Sequence, residues 1–376
     1  MKLVSPVTGC PLHYDTPHSL SDGAGERWPV VDGIPYLRAK REHLVSTALL
    51  ALDAGDTTAA LVTLLADQDD WWTGPKTDAD ELRRLVAGRE TLTLREAMAL
   101  LRLGPVADYF AYRWVDPTYL GGLALLEAHW QHPGDAFELA CGIGHYLREL
   151  GARGVLCTGA DVVFAKCWIA KHWIAQAAEY VVFDAAYLWP LAEAKYDLVM
   201  CHDAFYFLPN KPFVAAQLRA LVADGGTLAV SHLHNRGYWS GSKGPDAHLS
   251  EWLSLFPNSL VYDEDDLIRE GVRGGTPATA AIKDHDPEVE AYSLVVGAAG
   301  PTRPLDGLLT KPHPDATLAR NPLLGETPGH EHVRWPSERW REEYQRNCWW
   351  ANPEDKGPGG DDPVRRRVLV DLPERW

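Results

Sequence analysis

Apolar and polar positions follow three regimes along the chain. Between residues 39 and 103, Leu44, Ala48, Leu49 and Leu52, then Ala59, Leu61, Val62, Leu64 and Leu65, recur in stripes close to the helical repeat, interrupted at Gly55-Asp56. This predicts a helical segment. Asp78 starts a further helix, and Thr93-Leu-Arg-Glu96 has the spacing of a capping box ahead of Ala97 to Leu103. From Ala136 onward the pattern changes to short apolar runs separated by helical stretches. Such alternation predicts an α/β domain with a parallel sheet. Residues 1–38 read instead as short strands, at Lys2 to Val4, Leu12 to Tyr14 and Trp28 to Leu37.

The most informative stretch is Ala136 to Asp161. Phe137 to Ala140 reads as a strand; Gly142 and Gly144 permit a sharp turn and a close approach to a ligand; Tyr146, Leu147 and Leu150 follow at helical spacing. Gly151 and Gly154 end that helix before Val155 to Gly159 resumes an extended run. A dinucleotide fingerprint needs a third glycine three residues after the second, where Leu147 stands, and no Gly-Lys-Ser/Thr of a phosphate loop follows.

The phrase Glu138-Leu-Ala-Cys-Gly-Ile-Gly144 resembles the first motif of class I S-adenosylmethionine-dependent methyltransferases, with Ala140 at a position often glycine. Asp161-Val162 closes the second strand, Tyr180-Val-Val-Phe-Asp184-Ala185 the third, Tyr196-Asp197 opens the fourth and Asp224-Gly-Gly leads into the fifth. The resemblance covers residues 105 to 299. It implies a doubly wound, seven-stranded Rossmann-like sheet, with Thr279 to Lys283 as the sixth strand, Glu290 to Gly297 as the seventh and Asp284 to Pro287 turning between them. It also implies S-adenosylmethionine as cofactor. Gly142 and Gly144 would pass its methionyl part, Glu138 would anchor its amino group and Asp161 its ribose hydroxyls. Val162 would cover the adenine, whose amine Asp184 would receive, with Ala185 offering a backbone N–H.

Composition narrows the substrate. A formal charge of −16 opposes binding of nucleic acid, which depends on Lys and Arg neutralising phosphates. The Asn-Pro-Pro-aromatic block of base-methylating enzymes is replaced by His202-Asp203-Ala204-Phe205. A small, partly apolar or aromatic metabolite, methylated at O or N, is the expected substrate. The six cysteines form no Cys-x-x-Cys pair, MKLVSPVTGC has no apolar core of secretory length, and no run nears the ~20 apolar residues of a bilayer span, so a cytoplasmic protein without a membrane partner is expected.

Around this domain lie additions. Val31-Asp-Gly-Ile-Pro35 gives residues 1–38 a resemblance to the zinc-ribbon-like modules of the Trm112 type, which partner or fuse with methyltransferases. Ser5, Thr8, Ser21 and Ala24 occupy the positions of the zinc cysteines, so no zinc is expected, and a docking module and a vestigial β element are both open. Residues 39–104 form a helical subdomain or lid, including the aromatic loop Trp71 to Pro75. Residues 300–376 are rich in Pro, Arg and Trp, with a short capped helix in Arg334 to Tyr344; aromatic content argues against a disordered tail. This extension is expected to wrap the main domain and to serve the substrate pocket or a homo-oligomeric interface. Gly357 to Pro363 is its expected mobile part.

Methyl transfer from a sulfonium is an in-line displacement, so alignment supplies much of the rate and a base is needed only if the nucleophile must lose a proton. His202 with Asp203 after the fourth strand, and His232 and His234 after the fifth, are the candidate bases. Tyr112, Arg113 and Tyr206 are candidate substrate or lid residues. Two other readings stay open: a metal-dependent enzyme using His202, Asp203, His232 and His234, and a non-catalytic methyltransferase-like partner protein, against which Glu138, Asp161 and Asp184 speak.

Overall fold

The computed structural model describes residues 1–70, 72–191, 193–239, 246–284, 286–297, 301–327, 330–348 and 360–376. Trp71, part of the 284–287 loop and residues 357–359 of the segment expected to be mobile therefore lie outside the described residues.

A four-stranded antiparallel meander comes first: β1 (His13–Thr16), β2 (Ser19–Ser21), β3 (Arg27–Val31) and β4 (Ile34–Pro35). Helices α1 (Glu42–Asp53), α2 (Thr57–Leu65), α3 (Ala79–Gly88) and α4 (Leu94–Leu100) follow. At the start of α4, Thr93 and Glu96 form the capping box, the Thr93 hydroxyl accepting from the Glu96 N–H at 3.2 Å and the Glu96 carboxylate from the Thr93 N–H at 2.9 Å. Next come α5 (Pro105–Tyr112) and α6 (Pro117–Ala128). Every residue of α6 is buried, as a helix apolar on all sides requires.

The central sheet comprises β5 (Asp135–Leu139), β6 (Leu156–Asp161), β7 (Glu179–Val182), β8 (Tyr196–His202), β9 (Val222–His234), β10 (Leu260–Asp263) and β11 (Ala291–Val296). Its order is β10-β11-β9-β8-β5-β6-β7. All neighbours are parallel except β11, which runs antiparallel to β9 and β10. The connecting helices are α7 (His145–Gly151), α8 (Phe164–Ile169), α9 (Lys211–Ala220), the single turn α10 (Arg236–Trp239), α11 (Leu249–Leu255) and α12 (Glu264–Arg273).

One expected strand is misplaced. The sixth strand is Leu260–Asp263, not Thr279 to Lys283, of which only Thr279 makes an isolated bridge, to Tyr262. Helix α12 thus falls between the sixth and seventh strands, and residues 284–287 do not join two strands. The run Leu260-Val-Tyr-Asp263 is short and leads directly into a helix capped by Asp263, so the helical signal masks the strand.

The N-terminal meander docks on the edge strand β7, where Leu37 donates its N–H to the Val182 carbonyl at 2.7 Å and Tyr36 bridges Val182. This covers an edge that would otherwise stay open. One hydrophobic core runs from Leu3 through Leu309. Residues 301–376 add β12 (Leu318–Arg320), β13 (Leu324–Thr327), β14 (His330–Val333), α13 (Glu338–Tyr344) and β15 (Leu369–Asp371). A second core joins Trp340, Tyr344 and Val370 of this extension to Leu120 of α6 and Ile268 of α12. Glu127 at the end of α6 pins the extension's start, accepting backbone N–H donations from Gly307, Leu309 and Thr310 at 2.7 Å each.

Candidate active site

The strand order reverses between β5 and β8, where an open α/β sheet leaves a crevice at its carboxyl ends. A cavity of about 560 Å³ occupies that place. The loop after β5 forms its floor, with Ala140 and Gly142 both at positive φ (+55° and +54°). A Cβ on Gly142 would come within 2.9 Å of the Phe110 ring. Gly144 also has a positive φ, but a Cβ there would meet Ala170 and the Tyr180 hydroxyl at 3.2 Å. It serves the packing at the start of α7 and does not line the cavity, contrary to the expected role beside a cofactor. Leu147, which replaces the third glycine of a dinucleotide fingerprint, packs onto Gly159 of β6. A Cβ at Gly159 would lie 2.6 Å from Leu147 Cδ1, so the glycine permitting close helix–strand approach sits on the strand.

Glu138, Ala140, Gly142, Asp161, Val162, Asp184 and Ala185 all line the cavity. Asp161 is fixed at the end of β6, accepting from the Gly142 N–H at 3.1 Å and the Val163 N–H at 3.0 Å, with Lys166 Nζ 3.4 Å away. Asp184 accepts from the Ala186 N–H at 2.9 Å. Glu138 is buried, and its Oε2 has no hydrogen-bond partner. Burial pushes its carboxyl well above the usual range, with Arg113 opposing and Asp161 adding to the shift. A buried carboxyl oxygen left without a partner on a cavity wall is a place for a ligand's donor.

Arg113, in the turn after α5, lies within the protein rather than in a surface ion pair. It meets Asp116 at 2.9 Å and Asp203 at 3.0 Å, and its guanidinium also contacts the Thr118 hydroxyl. Tyr112 points elsewhere, packing against the Trp376 and Arg95 side chains, and is absent from the cavity wall. Tyr109 and Phe110 take that place. Tyr109 stands four residues before Arg113, hence on the same helical face, a signal the sequence offered.

Asp203 is the hub of the far end of the cavity. Its Oδ2 accepts from the Tyr109 hydroxyl at 2.9 Å and faces Arg113; its Oδ1 accepts from the Tyr206 hydroxyl at 3.3 Å and lies 3.7 Å from His232 Nε2. Burial alone would raise its pKa, but His232 and Arg113 outweigh that and hold it below the usual range.

The three histidines expected to act as bases are differently placed. His202 lines the cavity, with Nδ1 2.7 Å from the Ser231 hydroxyl and Nε2 unpartnered. Burial and the charge of Arg113 push it down to about 3, so it is neutral at pH 7 and a weak base. His232 and His234 do come together, with Nε2 atoms 3.2 Å apart, yet neither is on the cavity wall. His232 Nδ1 lies 2.6 Å from Glu264 Oε2. Although burial lowers it, Glu264 and Asp203 raise it to about 10, so it already carries a proton. His234 is stacked against Tyr206 and pushed down to about 3 by burial and the His232 charge. Burial and neighbouring charge move each of the three away from neutrality, which weighs against the expected role as bases. Nor do they converge on a metal: among the described residues no group of three His, Cys, Asp or Glu is arranged to hold one.

Several wall residues were not foreseen. Arg38, Asp69 and Asp70 reach the cavity from the N-terminal parts, with Arg38 held by Asp67 at 2.7 Å. Ser337, Arg339, Trp340, Glu343 and Tyr344 reach it from the C-terminal extension. They lie over a hundred residues from β8, and no local sequence pattern ties them to it.

Residues 137–230 match the family model described as "Methyltransferase domain". No curated protein matches the chain. Among solved structures, a TehB-like methyltransferase from Corynebacterium glutamicum is 16% identical, covering 46% of this chain and 85% of its own, at a TM-score of 0.35. The CcbJ methyltransferase from Streptomyces caelestis is 16% identical over 49% of this chain and 96% of its own, TM-score 0.38. A phosphoethanolamine N-methyltransferase from Haemonchus contortus, solved with S-adenosylhomocysteine, is 16% identical over 48% of each chain, TM-score 0.38. The unpartnered Glu138 oxygen, the close-approach floor at Gly142 and the fixed Asp161 carboxylate would suit an ammonium group, a chain passing close to the backbone and a pair of hydroxyls.

Proposed function

We propose that the chain is an S-adenosylmethionine-dependent methyltransferase acting on O or N of a small, partly aromatic metabolite. The observation that carries the reading is the buried Glu138 carboxyl, whose Oε2 is unpartnered on the wall of the cavity that also holds Asp161. When bound, the cofactor would supply an electrophilic methyl group on a sulfonium.

Glu138 binds the ammonium end, and Arg113, on the wall of the same cavity, faces the carboxylate end. Asp161 binds the ribose; Val162, Asp184 and Ala185 frame the adenine. Tyr109, Phe110, Trp340 and Tyr344 shield the transfer from water and position the acceptor. The electrostatics favour alignment over histidine base catalysis as the main contribution.

Further parts of the reading concern the setting. Residues 1–38 are proposed as a zinc-free relative of the Trm112-type module, with 39–104 as a helical subdomain, 105–299 as the cofactor domain and 300–376 as an extension completing the pocket. Support for the first comes from Ser5, whose hydroxyl accepts from the Val7 and Thr8 N–H groups at 3.2 and 3.1 Å, a turn held without metal. The charge of −16 speaks for a small-molecule substrate over nucleic acid. All six cysteines are free, in keeping with a cytoplasmic setting. No helix among the described residues is long and apolar enough to cross a membrane.

Calorimetry with S-adenosylmethionine tests the proposal. Wild type binds at a single site and Asp161→Ala loses binding; unchanged affinity in the variant would sink the cofactor assignment.

A further inference from the structure

Resting on the methyltransferase reading, we infer that residues 367–376 form a strap that positions α5, and through it Tyr109, Phe110 and Arg113, over the Gly142 floor of the cavity, with Trp376 as its buckle. Pro105, Val106, Tyr109, Phe110 and Arg113 recur at helical spacing, and all five line the cavity. The other side of the same helix is thinly covered: Pro105 is exposed and Val106 to Tyr109 are half-buried. On the inner side, the Tyr109 hydroxyl reaches Asp203 at 2.9 Å and the Phe110 ring stands 2.9 Å from where a Cβ on Gly142 would be. A ligand on that floor therefore lies directly under α5, and where α5 stands decides how closely it is covered.

Support for α5 comes from outside the cavity. A helix leaves its last four carbonyls without intrahelical partners. At the end of α5 the Phe110 carbonyl accepts from His145 Nε2 at 2.9 Å, and the Ala111 carbonyl accepts from the Trp376 indole N–H at 2.7 Å. The Trp376 ring also meets the Tyr112 ring edge-on, with centroids 5.8 Å apart, and the Arg95 guanidinium lies 5.2 and 5.6 Å from the two rings. In the turn that follows, the Trp114 carbonyl accepts from Arg367.

The strap is fastened at both ends of its course. Asp371 pairs with Arg148 of α7 at 2.8 Å. Arg375 donates to the carbonyls of Arg89, Leu92 and His172 at 2.6, 3.1 and 2.7 Å, and its own carbonyl accepts from the Leu94 N–H at 2.7 Å. Residues 367–376 thus join α7, which starts from the cofactor loop, to α4 and to the turn beyond α8, and hold α5 between them. None of Arg367, Asp371, Arg375 and Trp376 lines the cavity, so they act through α5 as positioning residues. A wall fixed in advance spares the ligand the cost of ordering it, and that saving is read chiefly in the rate of release.

Surface plasmon resonance of S-adenosylhomocysteine on the full-length protein tests this, paired with hydrogen exchange. Trp376→Ala is expected to weaken binding about tenfold through faster dissociation, with exchange rising over residues 105–116 and unchanged in the sheet. Arg375→Ala, which cuts the far anchor without touching α5, is expected to act in the same direction. Glu127→Gln, which loosens the extension at Gly307 to Thr310 and leaves the strap intact, is expected to lower the melting temperature with affinity unchanged. Binding by Trp376→Ala equal to wild type, faster exchange spread over the whole domain, or an equal loss of affinity in Glu127→Gln overturns the strap. Failure of the wild type to bind S-adenosylhomocysteine overturns the underlying cofactor reading instead.

Discussion

His232 and Glu264 are joined by a 2.6 Å contact between Nδ1 and Oε2, buried behind the cavity wall on which Asp203 sits. Glu264 comes from the first turn of α12, the helix inserted between the sixth and seventh strands, and His232 from β9 at a positive φ of +56°. The relation makes His232 a fixed cation between two carboxylates. Its removal in His232→Ala leaves Glu264 and Asp203 buried with less compensation, at an expected cost of about 3–5 kcal/mol. Chemical denaturation reads this directly; a loss under 1 kcal/mol would contradict it.

The same pair sets a pH dependence. His232 is raised from the ordinary value near 6.5 to about 10. A group raised on folding contributes stability that is full below its unfolded pKa and disappears as pH climbs through the folded one. The melting temperature should therefore decline between about pH 6.5 and 10, and more steeply in wild type than in Glu264→Gln. Parallel curves for the two proteins would count against the pairing.

Glu138 offers a separation of binding from stability. Its unpartnered, buried oxygen is held for a ligand, so Glu138→Gln should weaken S-adenosylmethionine binding by tenfold or more. Replacing a carboxyl that burial disfavours with a neutral isostere should leave the melting temperature equal or higher. A variant that melts lower yet binds normally would assign Glu138 to the core instead.

Behind the cavity mouth, Asp67 accepts from the Tyr36 hydroxyl at 2.6 Å and pairs with the buried Arg38 at 2.7 Å. Asp67→Ala removes the nearest carboxylate from a guanidinium that is 1% exposed, leaving it the Gln68 carbonyl at 2.6 Å and Asp70 at 3.6 Å. A cost of about 3–5 kcal/mol is expected in urea unfolding. Asp67→Asn, which keeps one acceptor for Arg38, should lose less.

Gly159→Val tests the exchange of glycine from helix to strand. Leu147 and Cys141 lie 2.6 and 2.8 Å from the position of a Cβ at Gly159. Overpacking of this kind costs about 1–3 kcal/mol, and Leu147→Ala in the same chain should recover part of it. No recovery in the double variant would mean that the two residues do not share the space.

Much of this arrangement was legible from residue order. The βαβ alternation, the glycines after β5 and the acids at three strand ends specify parallel strands and a ligand crevice, because each depends on neighbours within a few residues. Thr93 and Glu96 announced their helix start for the same reason. The sixth strand was not legible, since Leu260–Asp263 merges into the capping signal of α12. Nor was the difference between Tyr112 and Tyr109 settled by type, only by the face of α5 that turns inward.

Tertiary structure alone decided the chemistry at the far end of the cavity. The sequence placed His202, His232 and His234 at strand ends, where an imidazole of ordinary pKa serves as a base. Folding buried all three, set Arg113 near His202 and Glu264 against His232, and so moved each away from neutrality in a direction set by its neighbours. Glu343 and Trp340 joined the site from a segment over a hundred residues away. Local pattern fixes which residues meet a strand end; charge and burial, which sum over the whole packed neighbourhood, fix what those residues do there.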